Sequence, residues 1–138
     1  MKKLKLPVEE FTTPNPVTAV ENTALDDLEN LMTVHGVRHI PITRDGLIVG
    51  IVSDRDLRVA GALSMREKML VLAKDIMVSN PVTVNSGASL DDVAFQMSKN
   101  KIGSVIVNDE SDEFFGIFTS TDALNALIEI VRSEKSLQ

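Results

Sequence analysis

Gly50-Ile51-Val52-Ser53-Asp54-Arg55-Asp56 decides the fold, because it returns in altered form as Gly116-Ile117-Phe118-Thr119-Ser120-Thr121-Asp122. Each copy is a glycine, two apolar residues, a hydroxyl residue, two variable positions and an aspartate. An apolar, β-rich run ends at each hydroxyl. Beyond it, Leu57, Val59 and Ala60 in one copy, and Ala123, Leu124, Leu127 and Ile128 in the other, follow a helical pattern. The spacing predicts a strand that hands over to a helix at Ser53 and again at Thr119, with the aspartate in the first helical turn. Two readings of that junction stay open. As a cap, Ser/Thr-x-x-acid offers oxygens to the free N–H groups of a helix start. As a ligand site, a helix N-terminus at the end of a strand attracts phosphate and hydroxyl groups. A single copy favours the cap, and recurrence in two equivalent repeats favours the site.

The repetition extends outward from the motif. Asn15-Pro16-Val17-Thr18 reappears 65 residues later as Asn80-Pro81-Val82-Thr83, and Leu25-Asp26-Asp27 and Met32 reappear as Leu90-Asp91-Asp92 and Met97. One extra residue in the charged turn Asp109 to Glu113 brings Gly50, Ile51 and Asp56 into step with Gly116, Ile117 and Asp122. Such self-similarity means one supersecondary unit used twice. The first unit reads as a strand at Val17–Val20 after a proline, then a helix capped by Thr23 and ended by Gly36. Leu25, Leu28, Leu31 and Met32 form that helix's apolar face. A strand at Val37–Ile42, a turn at Arg44-Asp45-Gly46, an apolar strand at Leu47–Val52 and a helix from about Asp54 complete it: β-α-β-β-α. The second unit repeats the order with strands at Val82–Val84, Ser104–Val107 and Phe114–Phe118, and helices at Leu90–Asn100 and from Ser120 to about Arg132. Between them Gly61 to Lys74 reads as a helix-compatible connector with Met69, Leu70 and Leu72 available for packing. The division expected is a 1–13 segment, repeat one at 14–62, a connector at 63–76, repeat two at 77–132 and a 133–138 tail. Leu124, Leu127, Ile128, Ile130 and Val131 wrap much of the last helix, which reads as core plus a surface for a second copy of the chain.

Composition narrows the function. The 138 residues are 43% hydrophobic and 25% charged, as in an ordinary soluble domain with a real core. A formal net charge of −6 gives nucleic acid or anionic lipid no global attraction, and the absence of Trp and Tyr leaves few stacking platforms. Zero cysteine excludes disulfides, thiolate metal sites and cysteine nucleophiles. The basic start Met1-Lys2-Lys3 lacks an apolar signal segment, and no run approaches a membrane span, so the expected location is cytoplasmic.

Taken together, Asn15-Pro16-Val17-Thr18, Gly36 to Ile42, and Gly50 to Asp56, with their second-copy echoes, resemble the CBS (cystathionine β-synthase) domain family, here as a tandem pair of the kind called a Bateman module. The resemblance runs from about Pro14 to Val131. It implies an α/β (α+β) fold of two β-α-β-β-α repeats packed as a pseudo-two-fold pair, dimerisation to a homodimer, and adenosyl ligands in clefts between the repeats. Those ligands are AMP, ADP or ATP, in some members S-adenosylmethionine or a dinucleotide. It also implies a regulatory role, and since only short ends flank the pair, the expected target is a separate polypeptide. No further cofactor is implied.

By the same resemblance, Asp56 and Asp122 accept hydrogen bonds from ribose hydroxyls, a role that suits an acceptor-only carboxylate. Ser53 and Thr119 would meet phosphate or ribose. Thr18 and Thr83, with the strand backbones at Ile40 and Pro41 and at Ser104, Val105 and Ile106, would frame the adenine. Arg38 and His39 would reach phosphates, helped by Arg55, whose second-copy counterpart is Thr121. Only the first copy carries this basic set, so one site is expected to bind a multiply charged nucleotide tightly. Arg58 and Arg55 also read as a solvated helix face.

Other chemistries fit less well. His35 and His39 are four apart, but Gly36 and Pro41 break any continuous helix and no third metal ligand is apparent. Asp54 and Asp56 point to nearly opposite sides of a helix and cannot converge as an acid–base pair. Ser53 lacks a nucleophile elbow, and the second copy has no histidine, so no enzyme is expected. The alternative to a nucleotide sensor is a structural module with vestigial pockets whose last helix drives assembly.

Overall fold

The computed structural model describes residues 5–136. In chain order, a short 3-10 turn (Val8–Phe11) and β1 (Thr13–Pro14) lead into β2 (Ala19–Val20), α1 (Leu25–His35), β3 (His39–Arg44), β4 (Leu47–Ser53) and α2 (Asp54–Ala60). One-turn helices α3 (Met65–Lys68) and α4 (Ala73–Ile76) precede β5 (Val78–Ser79). Then come β6 (Thr83–Asn85), α5 (Leu90–Asn100), β7 (Ser104–Asn108), β8 (Phe114–Thr119) and α6 (Ser120–Ser136). The expected β-α-β-β-α order is present twice.

The chain divides spatially into two units whose limits differ from those of the repeats. One is Pro16–Pro81; the other joins the segment ending at Asn15 to the chain from Val82 onward. Each has one four-stranded sheet, ordered β2-β3-β4-β5 in the first and β1-β8-β7-β6 in the second. The central hairpins are antiparallel, and β2 and β6 add in parallel to β3 and β7. The β3–β4 turn uses Asp45 and Gly46 with φ of 52° and 79°, the left-handed pair that a tight hairpin needs.

Cores follow from the apolar faces. Leu25, Leu28 and Met32 of α1 pack on Ile40, Ile42 and Val52, with Leu57, Ala60 and Ala73 closing the cluster. In the other unit Leu90, Val93 and Met97 of α5 meet Val105, Val107 and Phe118, with Ala126 of α6. Val8, from the segment expected to precede repeat one, is fully buried in this second core.

The edge strands β1 and β5 lie outside the sequence expectation, and they explain the motif glycines. A Cβ on Gly116 would run into the Thr13 carbonyl oxygen, and one on Gly50 into the Met77 side chain and the Val78 carbonyl. Each glycine lets a neighbouring strand approach closely, the usual meaning of glycine inside a strand.

Several details depart from expectation. Thr23 does not cap α1: the N-cap is Ala24 and makes no side-chain cap bond. The Thr23 backbone instead closes a turn with Val20 and accepts from the Ala73 N–H at 2.8 Å. The connector is two single turns rather than one helix; Met69 and Leu70 are exposed, and Leu63, Val71, Ile76 and Met77 do the packing. α3 carries its own capping box between Ser64 and Glu67, whose side-chain and backbone hydrogen bonds hold the Glu67 carboxyl below its usual range. The first strand is shorter than read, starting at Ala19 rather than Val17. Pro41 accounts for this, because Ile106, its counterpart, donates its N–H to the Val82 carbonyl at 2.9 Å and Pro41 has no N–H to give. Among the described residues no helix is long and apolar enough to cross a membrane, and no three potential metal ligands gather.

Candidate functional site

Both junctions form as the sequence predicts, a strand running directly into a helix. Ser53 is the N-cap of α2, and the cap is reciprocal. The Asp56 N–H donates to Ser53 Oγ at 3.2 Å, while the Ser53 N–H donates to Asp56 Oδ2 at 2.9 Å. In the second copy the Thr119 N–H donates to Asp122 Oδ2 at 2.9 Å and the Asp122 N–H to Thr119 Oγ1 at 3.3 Å. The capping reading is therefore realised at both places. It engages Oδ2 of each carboxylate, and the side chains of Asp56 and Asp122 remain partly exposed.

The hairpins bring the other first-copy residues to the same end of their sheet. His39 lies opposite Ser53 in the β3–β4 ladder, and the Asp54 N–H donates to the Arg38 carbonyl at 2.9 Å, so Arg38 and His39 flank the junction. In the second copy Ser104 lies opposite Thr119, and the Ser120 N–H donates to the Gly103 carbonyl at 3.0 Å. Thr18, just before β2, and Thr83, at the start of β6, are exposed; β2 and β6 are the strands beside β3 and β7. Arg38, Arg55 and Thr121 are exposed. Arg58 lies on the solvated face of α2, 3.7 Å from Asp54 one turn away. Ile40, Pro41, Val105 and Ile106 bury their side chains, so only their backbones could meet a ligand.

Strand geometry sorts those backbones. Ile106 donates toward the β6 side, and backbone groups alternate along a strand, so Val105 turns toward β8 and Ser104 toward the β6 edge. Glu21 N–H donates to the Thr43 carbonyl, which by the same alternation sends Pro41 and His39 to the β2 edge and Ile40 to β4. Thr83 pairs no further along β7 than Ile106, and Ala19 no further along β3 than Ile42. Beside each junction the backbones of His39 and Ser104 thus turn toward the β2 and β6 edges, and those of Ile40 and Val105 toward their hairpin partners. Period-two alternation was available in the sequence, but its phase depends on which neighbour each residue bonds.

A separate groove of about 400 Å³ lies on the helical side of the second unit, lined by Leu6, Leu90, Asp91, Ala94, Ala123, Leu127 and Ile130 among others. It is apolar and includes none of the junction residues.

A family model described as "CBS domain" matches residues 8–62 and 73–129. Among curated proteins, L-aspartate semialdehyde sulfurtransferase of Methanocaldococcus jannaschii is 32% identical over 125 residues, covering 88% of this chain and 24% of that protein. The chain spans about a quarter of the length of the first curated relatives it matches. Among solved structures, CBSX2 in complex with AMP is similar with a TM-score of 0.77 and 26% identity, over 90% of this chain and 97% of the other. The CBS domain pair of protein MJ0100, in complex with 5′-methylthioadenosine and S-adenosyl-L-methionine, gives a TM-score of 0.79 and 29% identity over 90% and 97%. With the two-fold repeat of β-α-β-β-α and both family matches in register with it, this chain belongs to the CBS domain family and comprises a tandem pair of CBS domains.

Proposed function

We propose that this CBS pair is a regulatory module that binds an adenosyl ligand and signals its occupancy to a partner polypeptide. The observation that carries the reading is the Asp56 carboxylate. Among the described residues its cap engages Oδ2 alone and leaves Oδ1 to a ligand, and similar CBS pairs are solved in complex with AMP, 5′-methylthioadenosine or S-adenosylmethionine. Those three molecules share an adenosine, hence a ribose diol and a purine edge. A carboxylate accepts from the diol, and strand backbone beside the junction supplies the paired donor and acceptor that the purine edge needs. Exposed Arg38 and Arg55 supply positive charge for a phosphate, through the guanidinium fork. Signalling follows by linkage: a ligand that prefers one conformation of the pair shifts the population toward it, typically by about 1–3 kcal/mol. The exposed apolar residues Leu124, Leu127, Ile128 and Val131 of α6 support self-association as the means of display.

Calorimetric titration with AMP tests this. Asp56→Ala is expected to weaken AMP binding by about 10- to 100-fold, the scale of a lost charged hydrogen bond. The same change removes half of a helix cap, at about 1 kcal/mol of stability, so the titration belongs well below the melting temperature. Absence of heat and of thermal stabilisation with AMP, ADP, ATP and S-adenosylmethionine alike would leave only the assembly role. Arg38→Ala is expected to weaken ATP binding more than adenosine binding; equal losses would remove its phosphate role.

A further inference from the structure

The two junctions match in sequence but differ in how their carboxylates are engaged. Among the described residues, Asp56 accepts one hydrogen bond, from the Ser53 N–H on Oδ2. Asp122 accepts three: from the Thr119 N–H at 2.9 Å and the Thr119 hydroxyl at 3.0 Å on Oδ2, and from the Thr13 hydroxyl at 3.4 Å on Oδ1. Thr13 arrives on β1, where it lies opposite Ile117 of β8. β5 runs past β4 in the same register, with Val78 opposite Ile51. Val78 is thus the counterpart of Thr13, and it has no hydroxyl.

We propose that Thr13 is a latch on the Asp122 junction, a positioning residue whose hydroxyl holds the carboxylate oxygen that a ribose would otherwise reach. This inference rests on the adenosyl reading of the junctions and adds to it a reason for the two to be unequal. A carboxylate oxygen that already accepts a hydroxyl must release or share it before it can serve a vicinal diol, and the Oδ2 of Asp122 is doubly engaged as well. The Thr13 bond is long, so a ligand displaces it at a modest cost: the latch lowers affinity without closing the site. Asp56, beside Val78, has no such competitor among the described residues. The charges run the same way, since Arg38 and Arg55 stand beside Asp56 while Gly103 and Thr121 hold the matching places near Asp122. The chain therefore has one open site and one held in reserve, which answers only at higher ligand concentration.

AMP titrations of the whole chain and five variants test the latch. Thr13→Val keeps the shape and removes the hydroxyl, and is expected to tighten the weaker site by about three- to tenfold, the worth of one hydrogen bond of this kind. Thr13→Ser is expected to behave as the wild type. Val78→Thr installs the latch on the other junction and is expected to weaken the stronger site by a similar factor. A merely structural role for Thr13 predicts no gain in affinity from a variant that loses a hydrogen bond, so the opposite signs of Thr13→Val and Val78→Thr separate the two. If Asp56→Ala and Asp122→Ala each abolish one site while neither Thr13→Val nor Val78→Thr changes affinity, the latch is overturned and the adenosyl reading stands. If the wild type and every variant ignore AMP, the reading beneath the latch fails, and the latch with it.

Discussion

Deleting residues 1–14 unfolds the unit that runs from Val82 to α6, and leaves the Pro16–Pro81 unit folded. The lead-in segment is part of the second core: Val8 is fully buried there, and Leu6 and Phe11 pack against it. Its backbone is equally committed. The Val8 N–H donates to the Ala88 carbonyl at 2.8 Å, the Glu9 N–H to the Ser86 carbonyl at 3.1 Å, and the Leu6 carbonyl accepts from Leu90 at the start of α5 at 2.8 Å. Burial of one valine contributes about 1.5–3 kcal/mol, and each lost backbone hydrogen bond about 0.5–1.5 kcal/mol. Together with the two rungs of β1 on β8, the loss matches the whole stability of an ordinary domain, about 5–15 kcal/mol. The cluster formed by Ala19, Leu28, Ile40 and Val52 draws no described residue from the deleted stretch. Hydrogen exchange read peptide by peptide is expected to show lost protection in β7, β8 and α5 and retained protection in β3 and β4. A truncated chain with unchanged protection throughout would mean that Val8 contributes nothing to the second core.

Gly116→Ala is expected to destabilise the same unit by about 3 kcal/mol, against no more than about 1–2 kcal/mol for Gly50→Ala. Alanine is the better strand residue by about 0.5–1 kcal/mol, so the sign depends on what the new methyl meets. At Gly116 it meets backbone, the Thr13 carbonyl group, with the Thr12 Cγ2 at 2.9 Å beside it, and only movement of β1 can relieve that. At Gly50 the nearest atoms belong to the end of the flexible Met77 side chain, although the Val78 carbonyl oxygen lies at 3.0 Å. Urea denaturation of the two variants separates the cases. Equal losses would show that β1 yields as easily as a methionine side chain.

These two effects also mark where the sequence stops being legible. α1 and α5 carry an apolar stripe over eleven residues each, long enough for periodicity to set their face, and α5 ends where the pattern ends. The β3–β4 and β7–β8 hairpins are equally legible, as apolar runs divided by charged turns. β1 and β5 are two residues each, and two residues have no period. What betrays them is the glycine in each junction motif, whose missing side chain implies a strand crossing close by; which segment crosses is a tertiary fact. The same limit applies at Asp56 and Asp122. Ser/Thr-x-x-Asp announces the cap, but the hydroxyl that Thr13 presents to Asp122 comes from 109 residues away. Thr23 is the opposite case, a good capping residue placed one position too early because α1 begins only at Leu25.

The central claim is that the Asp56 carboxylate receives a ribose diol. The measurement that tests it most directly compares AMP with its 2′,3′-dideoxy analogue on the wild-type chain and on Asp56→Ala. If the carboxylate holds the sugar, the stronger site of the wild type prefers AMP by about 10- to 100-fold, and in Asp56→Ala that site binds both equally and weakly. If the two nucleotides bind the wild type with the same affinity, the carboxylate is a helix cap and nothing more.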